Sequence, residues 1–308
     1  MALQVLICVG IMLFYAIPGF LLIKSKLIKP DTISGFAKLL MYVCQPFFTI
    51  YAFQKCTFSW NIFWNLLICF ALAMLVETAL LFAYYFILKK KFEDVKYRIY
   101  NVACCFGNCL FIGLPIIETI LPENAEANLY SNMFFLAMSL LGWTVASFII
   151  SQDKKYIKVK KISLNPAVIS IIIASFFFFL NIKLPSQLFS MCEILGKMST
   201  PLCMLIMGMR LATNDLKEIF LDYRQYIVVL LKQLVMPLIT FLIVWFLPID
   251  YVMKVSLIIL SATPIAAVVQ NFAEMIGQGQ KESANLVLLG TLLSVGTIPL
   301  VSLLINLL

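Results

Sequence analysis

Phe106-Gly107-Asn108-Cys109-Leu110-Phe111-Ile112-Gly113-Leu114-Pro115 sets two glycines, an asparagine and a proline inside the apolar stretch Ile99–Leu121. A stretch of that length can cross a bilayer core, which takes about 20 apolar residues. Glycine and proline interrupt the helix there. In lipid, irregular backbone is tolerated only where it packs against protein or lines a cavity. A second apolar stretch, Val252–Ile276, carries Ser261-Ala262-Thr263-Pro264 at its middle, with Gln270 and Asn271 two turns on. At about 1.5 Å per residue, Gly107 and Pro264 lie roughly 13 and 18 Å from the starts of their stretches, near the midplane of a core about 30 Å thick.

Eight further stretches have crossing length: Ala2–Ile23, Phe36–Phe53, Ile62–Leu88, Leu129–Ile150, Leu164–Ile182, Leu188–Met209, Tyr226–Leu247 and Ser283–Leu308. Together they predict an all-α, polytopic membrane protein of ten transmembrane helices, with the broken ones fourth and ninth. Trp60, Trp64, Tyr130, Tyr226 and Tyr251 mark several ends, as aromatic rings favour the interface. The opening Met1-Ala2-Leu3-Gln4 lacks a basic region, so the first span reads as a retained helix and not a cleaved signal peptide.

Charge sets the orientation. Seventeen of the 23 Lys and Arg fall in the odd-numbered loops, among them Lys89, Lys90, Lys91, Lys96 and Arg98; the even-numbered loops hold only Lys55, Lys183 and Lys254. Positive loops stay cytoplasmic, so both termini are expected outside the cell membrane. The polar loop near Ser151–Ser163 leaves five spans on each side. Five is odd, so the second half enters the membrane in the opposite sense. This predicts two inverted-topology repeats, residues 1–151 and 164–308, joined by a cytoplasmic linker at 152–163. Lys38 and Pro46 in span two, against Lys197 and Pro201 in span seven, add a weak internal likeness.

Composition excludes other classes. The chain is 63% hydrophobic and 12% charged, with a mean hydropathy of +1.01, whereas soluble domains are about 25% charged. A net charge of +8 spread over short loops offers no continuous basic face to nucleic acid. The nine cysteines lie mostly in apolar spans without metal-ligand or haem spacing, and there is no histidine. They read as small buried apolar residues, and no metal, cofactor or catalytic site is expected. Without a P-loop, the driving force would be an ion gradient or the membrane potential.

Each break exposes the N-terminus of a half-helix, with free N–H groups and a positive dipole end at mid-membrane. Two such ends arriving from opposite sides favour an anion. The candidate substrate site comprises Gly107, Asn108, Gly113, Pro115, Thr263, Pro264 and Asn271, with Asn108, Thr263 and Asn271 as neutral hydrogen-bonding groups. Glu77, roughly 18 Å from the cytoplasmic side, is the deepest charge and a candidate for proton or sodium coupling. Lys232 is the second candidate, expected either to snorkel or to pair with Glu77. Glu193 and Lys197, four apart, predict a local ion pair. Glu118, Glu274 and Lys38 read as interfacial.

In sequence order, these pieces resemble the auxin efflux carrier family, which includes plant PIN-FORMED carriers and bacterial malate or malonate permease-like proteins. The likeness runs through Gly19-Phe20-Leu21-Leu22 with Lys26-Leu27-Ile28, and through Asn108-x4-Gly113-Leu114-Pro115 and Asn165-Pro166. It continues with Pro201-x6-Gly208, Ala262-Thr263-Pro264, Gly290-Thr291-Leu292-Leu293-Ser294 and Ile298-Pro299-Leu300. The resemblance implies ten helices, a scaffold and a mobile transport part, and a crossover of spans four and nine at the substrate site. The family's crossover asparagine falls on Asn108 and its crossover proline on Pro264. Two departures bear on auxin and the plant coupling mechanism: Gly107 stands where plant carriers have a proline, and span three lacks their acidic-lysine pair.

The expected function is secondary transport of a small organic anion, a carboxylate, by alternating access. The alternatives are a membrane sensor that binds without transporting, and an integral-membrane enzyme acting on lipid-linked substrates. The enzyme would need clustered carboxylates or histidines that the chain lacks. The lipid bilayer is the expected surrounding partner. A homodimer is a further expectation on which the residues themselves are silent.

Overall fold

The computed structural model describes residues 1–156, 165–214 and 216–308, and these form helices joined by loops, without a strand. Seven helices are long and apolar enough to cross a membrane: Ala2–Lys24, Pro30–Gln54, Trp60–Lys91, Ala125–Ser151, Ser186–Thr213, Tyr223–Trp245 and Gln280–Leu307. Shorter apolar helices cover Cys109–Ile120, Val168–Phe179 and Tyr251–Ala262. The fourth, sixth and ninth predicted spans are therefore the short ones, and the fourth and ninth are split. Most of the expected linker, with Lys158, Lys160 and Lys161, and the start of span six at Leu164 lie outside the described residues.

Local chemistry starts and bends these helices. Ser59, Asp94, Asp222 and Asp250 each accept a bond from a backbone N–H of the first turn, at 3.2, 2.9, 3.1 and 2.9 Å, satisfying groups that a helix start leaves open. Three of the four π-turns among the described residues, Leu40–Cys44, Cys109–Gly113 and Leu231–Val235, are followed two residues on by Pro46, Pro115 and Pro237 respectively. A proline ring clashes with the carbonyl four residues earlier, and the widened turn relieves it.

Large apolar side chains such as Phe14, Phe86, Ile172 and Phe246 stand exposed on the helix surfaces, the reverse of a water-soluble protein and suited to lipid. Ala125–Ser151 is the most enclosed crossing helix, 61% of its apolar window being buried, against 17% for Ala2–Lys24 at the edge. Trp60, Trp64 and Tyr251 are exposed, as interfacial rings should be, but Tyr130 is fully buried and donates to Glu126 Oε2 at 3.3 Å. Its end-of-span position had marked it as interfacial. Its place within the most enclosed helix, Ala125–Ser151, turns it inward instead.

The helices pack as two groups. In the first, Ala16–Lys24 lies along Ser199–Thr213, while Gln45–Gln54 packs on Pro166–Phe179 and Ser186–Lys197. The closeness is set by Gly208, where a Cβ would strike the Ala16 carbonyl. In the second, Ala125–Leu141 packs between Trp60–Leu88 and Tyr251–Ala262, while Ala267–Ile276 lies on Gln280–Ser302. Loops of like parity meet. Lys96 pairs with Asp222, Lys281 pairs with Glu218 at 2.7 Å, and Arg98 donates to the Ile150 carbonyl, which gathers the basic loops at one end. At the other end Phe58 N donates to Asn181 Oδ1 at 2.7 Å, and Gln54 donates to the Ile182 carbonyl.

Candidate functional site

The two interruptions meet. Helix Val95–Ala103 ends before Phe106, and a new helical segment begins at Cys109. Tyr251–Ala262 ends at Thr263, and Ala267–Ile276 follows. Proline disfavours a helical residue before it, and Thr263 accordingly sits at φ −59°, ψ 147°. The extended residues pair as one antiparallel bridge between Gly107 and Ile265: Asn108 N donates to the Pro264 carbonyl at 2.7 Å, and Ala266 N donates to the Phe106 carbonyl at 3.0 Å. Each broken segment therefore satisfies backbone groups of the other. Alone, either would leave them unpaired in hydrocarbon at several kcal/mol each.

Gly107 makes this approach possible. A Cβ there would collide with Thr263 Oγ1 and come within 2.8 Å of Lys232 Nζ. Lys232 is fully buried and donates to the Ser261 carbonyl at 2.6 Å and the Thr263 carbonyl at 3.0 Å. It neither snorkels nor bonds to Glu77, since the carbonyls closing the broken helix are nearer partners. Glu77 is fully buried, and both its carboxylate oxygens are without a hydrogen-bond partner among the described residues.

Neither half-helix beginning at Cys109 or Ala267 has a side-chain cap; Cys109 N donates back to the Gly107 carbonyl at 2.8 Å, and the N–H groups that follow in a first turn have no partner within their own helix. Both ends line one cavity of about 630 Å³, within the size range of small-molecule sites. Its polar wall includes Lys38, Gln45, Asn108, Arg210, Asn271 and Glu274, and its apolar wall includes Trp143. Arg210 Nη1 stands 3.4 Å from Glu274 Oε1, which also accepts from Gln270 at 3.0 Å. This ion pair joins Ser199–Thr213 of the first helix group to Ala267–Ile276 of the second across the cavity. Asn108 Nδ2 points at Cys203 Sγ at 3.9 Å, and Asn271 Nδ2 points at Met41 Sδ at 3.8 Å. Sulfur is a weak acceptor, so a carboxylate entering the cavity would offer both amides a better one.

The residues singled out from sequence divide. Gly107, Asn108 and Asn271 line this cavity. Thr263 and Pro264 are buried behind it, and the Thr263 hydroxyl is spent on the Leu260 carbonyl at 2.6 Å. Gly113 packs under Thr263 and Leu260. Pro115 lines a second cavity of about 610 Å³ on the far side, with Glu118 and Lys197. Gln45, Leu110 and Phe111 line both cavities and form the wall between them. The Glu193–Lys197 pair forms at 2.6 Å.

From sequence Lys38 reads as interfacial and Arg210 counts among the basic residues of an odd-numbered loop, whereas both line the cavity. A signal for Arg210 existed: Cys203, Met207 and Arg210 recur at spacings of four and three, one helical face, and all three line the cavity. The nine cysteines are free, and the described residues contain no group of three or more His, Cys, Asp or Glu able to hold a metal.

Comparison with curated proteins returns no match. The family model for membrane transport proteins matches residues 4–302, nearly the whole chain, and on that match the protein belongs to the auxin efflux carrier-type membrane transport family.

Proposed function

We propose that the protein is a secondary carrier of a small organic anion, a carboxylate, working by alternating access. The observation that carries this reading is the pair of uncapped half-helix N-termini opening on one cavity with Asn108, Asn271 and Arg210. Both ends bring positive dipole to the same space. The amides of Asn108 and Asn271 rest on sulfur until a carboxylate replaces it, and Arg210 offers a forked, charged donor. Gly107 shapes the crossing from the cavity wall, Gly113, Thr263 and Pro264 shape it from behind, and Pro115 widens the turn that starts the first half-helix.

Two cavities sharing the wall of Gln45, Leu110 and Phe111 suit a cycle in which one opens as the other closes. In this reading the chain is ten spans in two inverted repeats. The basic-loop end is cytoplasmic, both termini are outside the cell membrane, and the larger cavity faces the cytoplasm. The second helix group moves against the first. A carrier leaves its ligand chemically unchanged.

The test is counterflow in proteoliposomes over a panel of small mono- and dicarboxylates. Wild-type protein should exchange at least one of them, and Asn108→Ala and Pro264→Ala should abolish exchange while retaining a monodisperse fold. Normal exchange in both variants refutes the site. Saturable binding without exchange would favour a sensor.

A further inference from the structure

The half-helix Tyr251–Ala262 stops in mid-membrane, so its last carbonyls lose their intrahelical partners and carry the negative end of the helix dipole. Carbonyls at the unwound end of a half-helix are the ligands with which discontinuous-helix transporters hold a monovalent cation. Here an ammonium from another helix fills that position. Lys232 Nζ lies 2.6 Å from the Ser261 carbonyl and 3.0 Å from the Thr263 carbonyl, fully enclosed and against Gly107. Glu77 acts on it electrostatically, as do Cys104, Cys105 and Cys109, and these are the titratable groups around it among the described residues. Glu77 keeps both carboxylate oxygens unpartnered among the described residues. Two carbonyls on one ammonium and a carboxylate that acts on it form a hard, oxygen-rich setting for one positive charge.

We infer that Lys232 is a tethered substitute for a coupling cation: its ammonium occupies a latent sodium-type site at the crossing, and the native protein binds no sodium there. The inference deepens the carrier reading and rests on it for its meaning, because it makes anion movement sodium-independent. The positive charge that keeps the two broken helices together is covalently fixed and stays through every turnover. Removing the side chain takes the ammonium from the two carbonyls and from the field of Glu77, and leaves its volume to a free cation.

The experiment uses purified full-length protein in detergent at constant ionic strength, with choline, sodium or methylammonium as the chloride salt. It reads radioactive sodium binding and melting temperature. Wild type should bind no sodium and melt alike in choline and sodium. Lys232→Ala should melt lower in choline, bind about one sodium per chain, and regain about 3 °C or more with sodium or methylammonium, as expected of a ligand that binds only the folded form. Saturable, stoichiometric sodium binding by wild type overturns the inference. So does a folded Lys232→Ala that neither sodium nor methylammonium stabilises, since a merely structural lysine gives no such rescue. If Lys232→Ala does not fold, Lys232→Met carries the same measurement. If neither folds, wild-type sodium binding decides alone, its absence supporting and its presence overturning. Both readouts are independent of flux, so failure to exchange carboxylates would strike the carrier reading and leave this one standing.

Discussion

Neutralising Glu274 should make the protein bind its anion more tightly, although the change removes a charge from the cavity wall. Glu274 holds Arg210 by one contact of 3.4 Å, with side-chain exposures of 50% and 15% respectively. At that distance two unit charges attract by about 1 kcal/mol in water and about 5 kcal/mol at an effective dielectric of 20. The half-exposed carboxylate places the pair near the lower value, and exposed pairs are worth about 0.2–1 kcal/mol net. An incoming carboxylate must draw Arg210 away from that partner. Glu274→Gln should therefore lower the KM for exchange by up to about 5-fold, about 1 kcal/mol. Arg210→Gln removes a charge-assisted bond of about 1.5–3 kcal/mol and should raise KM by about 10- to 150-fold. In the double variant, Glu274→Gln should bring no further gain, because the group it releases is gone. The assay is initial-rate counterflow against substrate concentration at low and high salt. Equal loss in both single variants, or a gain from Glu274→Gln that persists without Arg210, would refute the competition between Glu274 and the anion.

Gly107→Ala should lower the melting temperature by the equivalent of about 1–3 kcal/mol, the usual cost of overpacking, because the new methyl meets Thr263 Oγ1 and Lys232 Nζ. Adding Thr263→Ala should recover part of that loss in a thermal melt, and strict additivity of the two would show that the collision is not the cause. A single-cysteine protein retaining only Cys203, which lines the larger cavity beside Asn108, should be alkylated by a small maleimide and protected by transported carboxylate. Labelling that substrate leaves unchanged would place the anion elsewhere. At the aqueous edge, burial pushes the Asp222 carboxyl up, but Lys96, the Arg224 N–H and the Tyr100 hydroxyl together hold it below the usual carboxylate range. A depressed acid stabilises the fold above its unfolded pKa and ceases to do so as pH falls through the folded one. Asp222→Asn should therefore melt lower than wild type at pH 7, and the two should converge below about pH 4. A gap that persists in acid would mean that Asp222 acts through packing and not charge.

The location of the crossing was legible because lipid makes the rule local. Each span must satisfy its own backbone, so Gly107 and Pro264 announce a break wherever they fall in an apolar run, and counting residues gives the depth. The same rule placed the seven helices long enough to cross, whose ends differ from the expected ones by at most six residues. The Glu193–Lys197 pair was legible for a similar reason, since spacing along one helix fixes it.

Only the tertiary structure decided which way each side chain turns about its helix axis, because packing between residues far apart in the chain sets that rotation. It turned the Thr263 hydroxyl onto its own helix and away from the cavity, and buried Tyr130. It brought Lys38, Arg210 and Glu274 to one wall across more than two hundred positions. It also set Lys232 on the carbonyls of the broken helix instead of on Glu77. Composition and periodicity give a residue's depth in the membrane, and the partner at that depth is chosen by the fold.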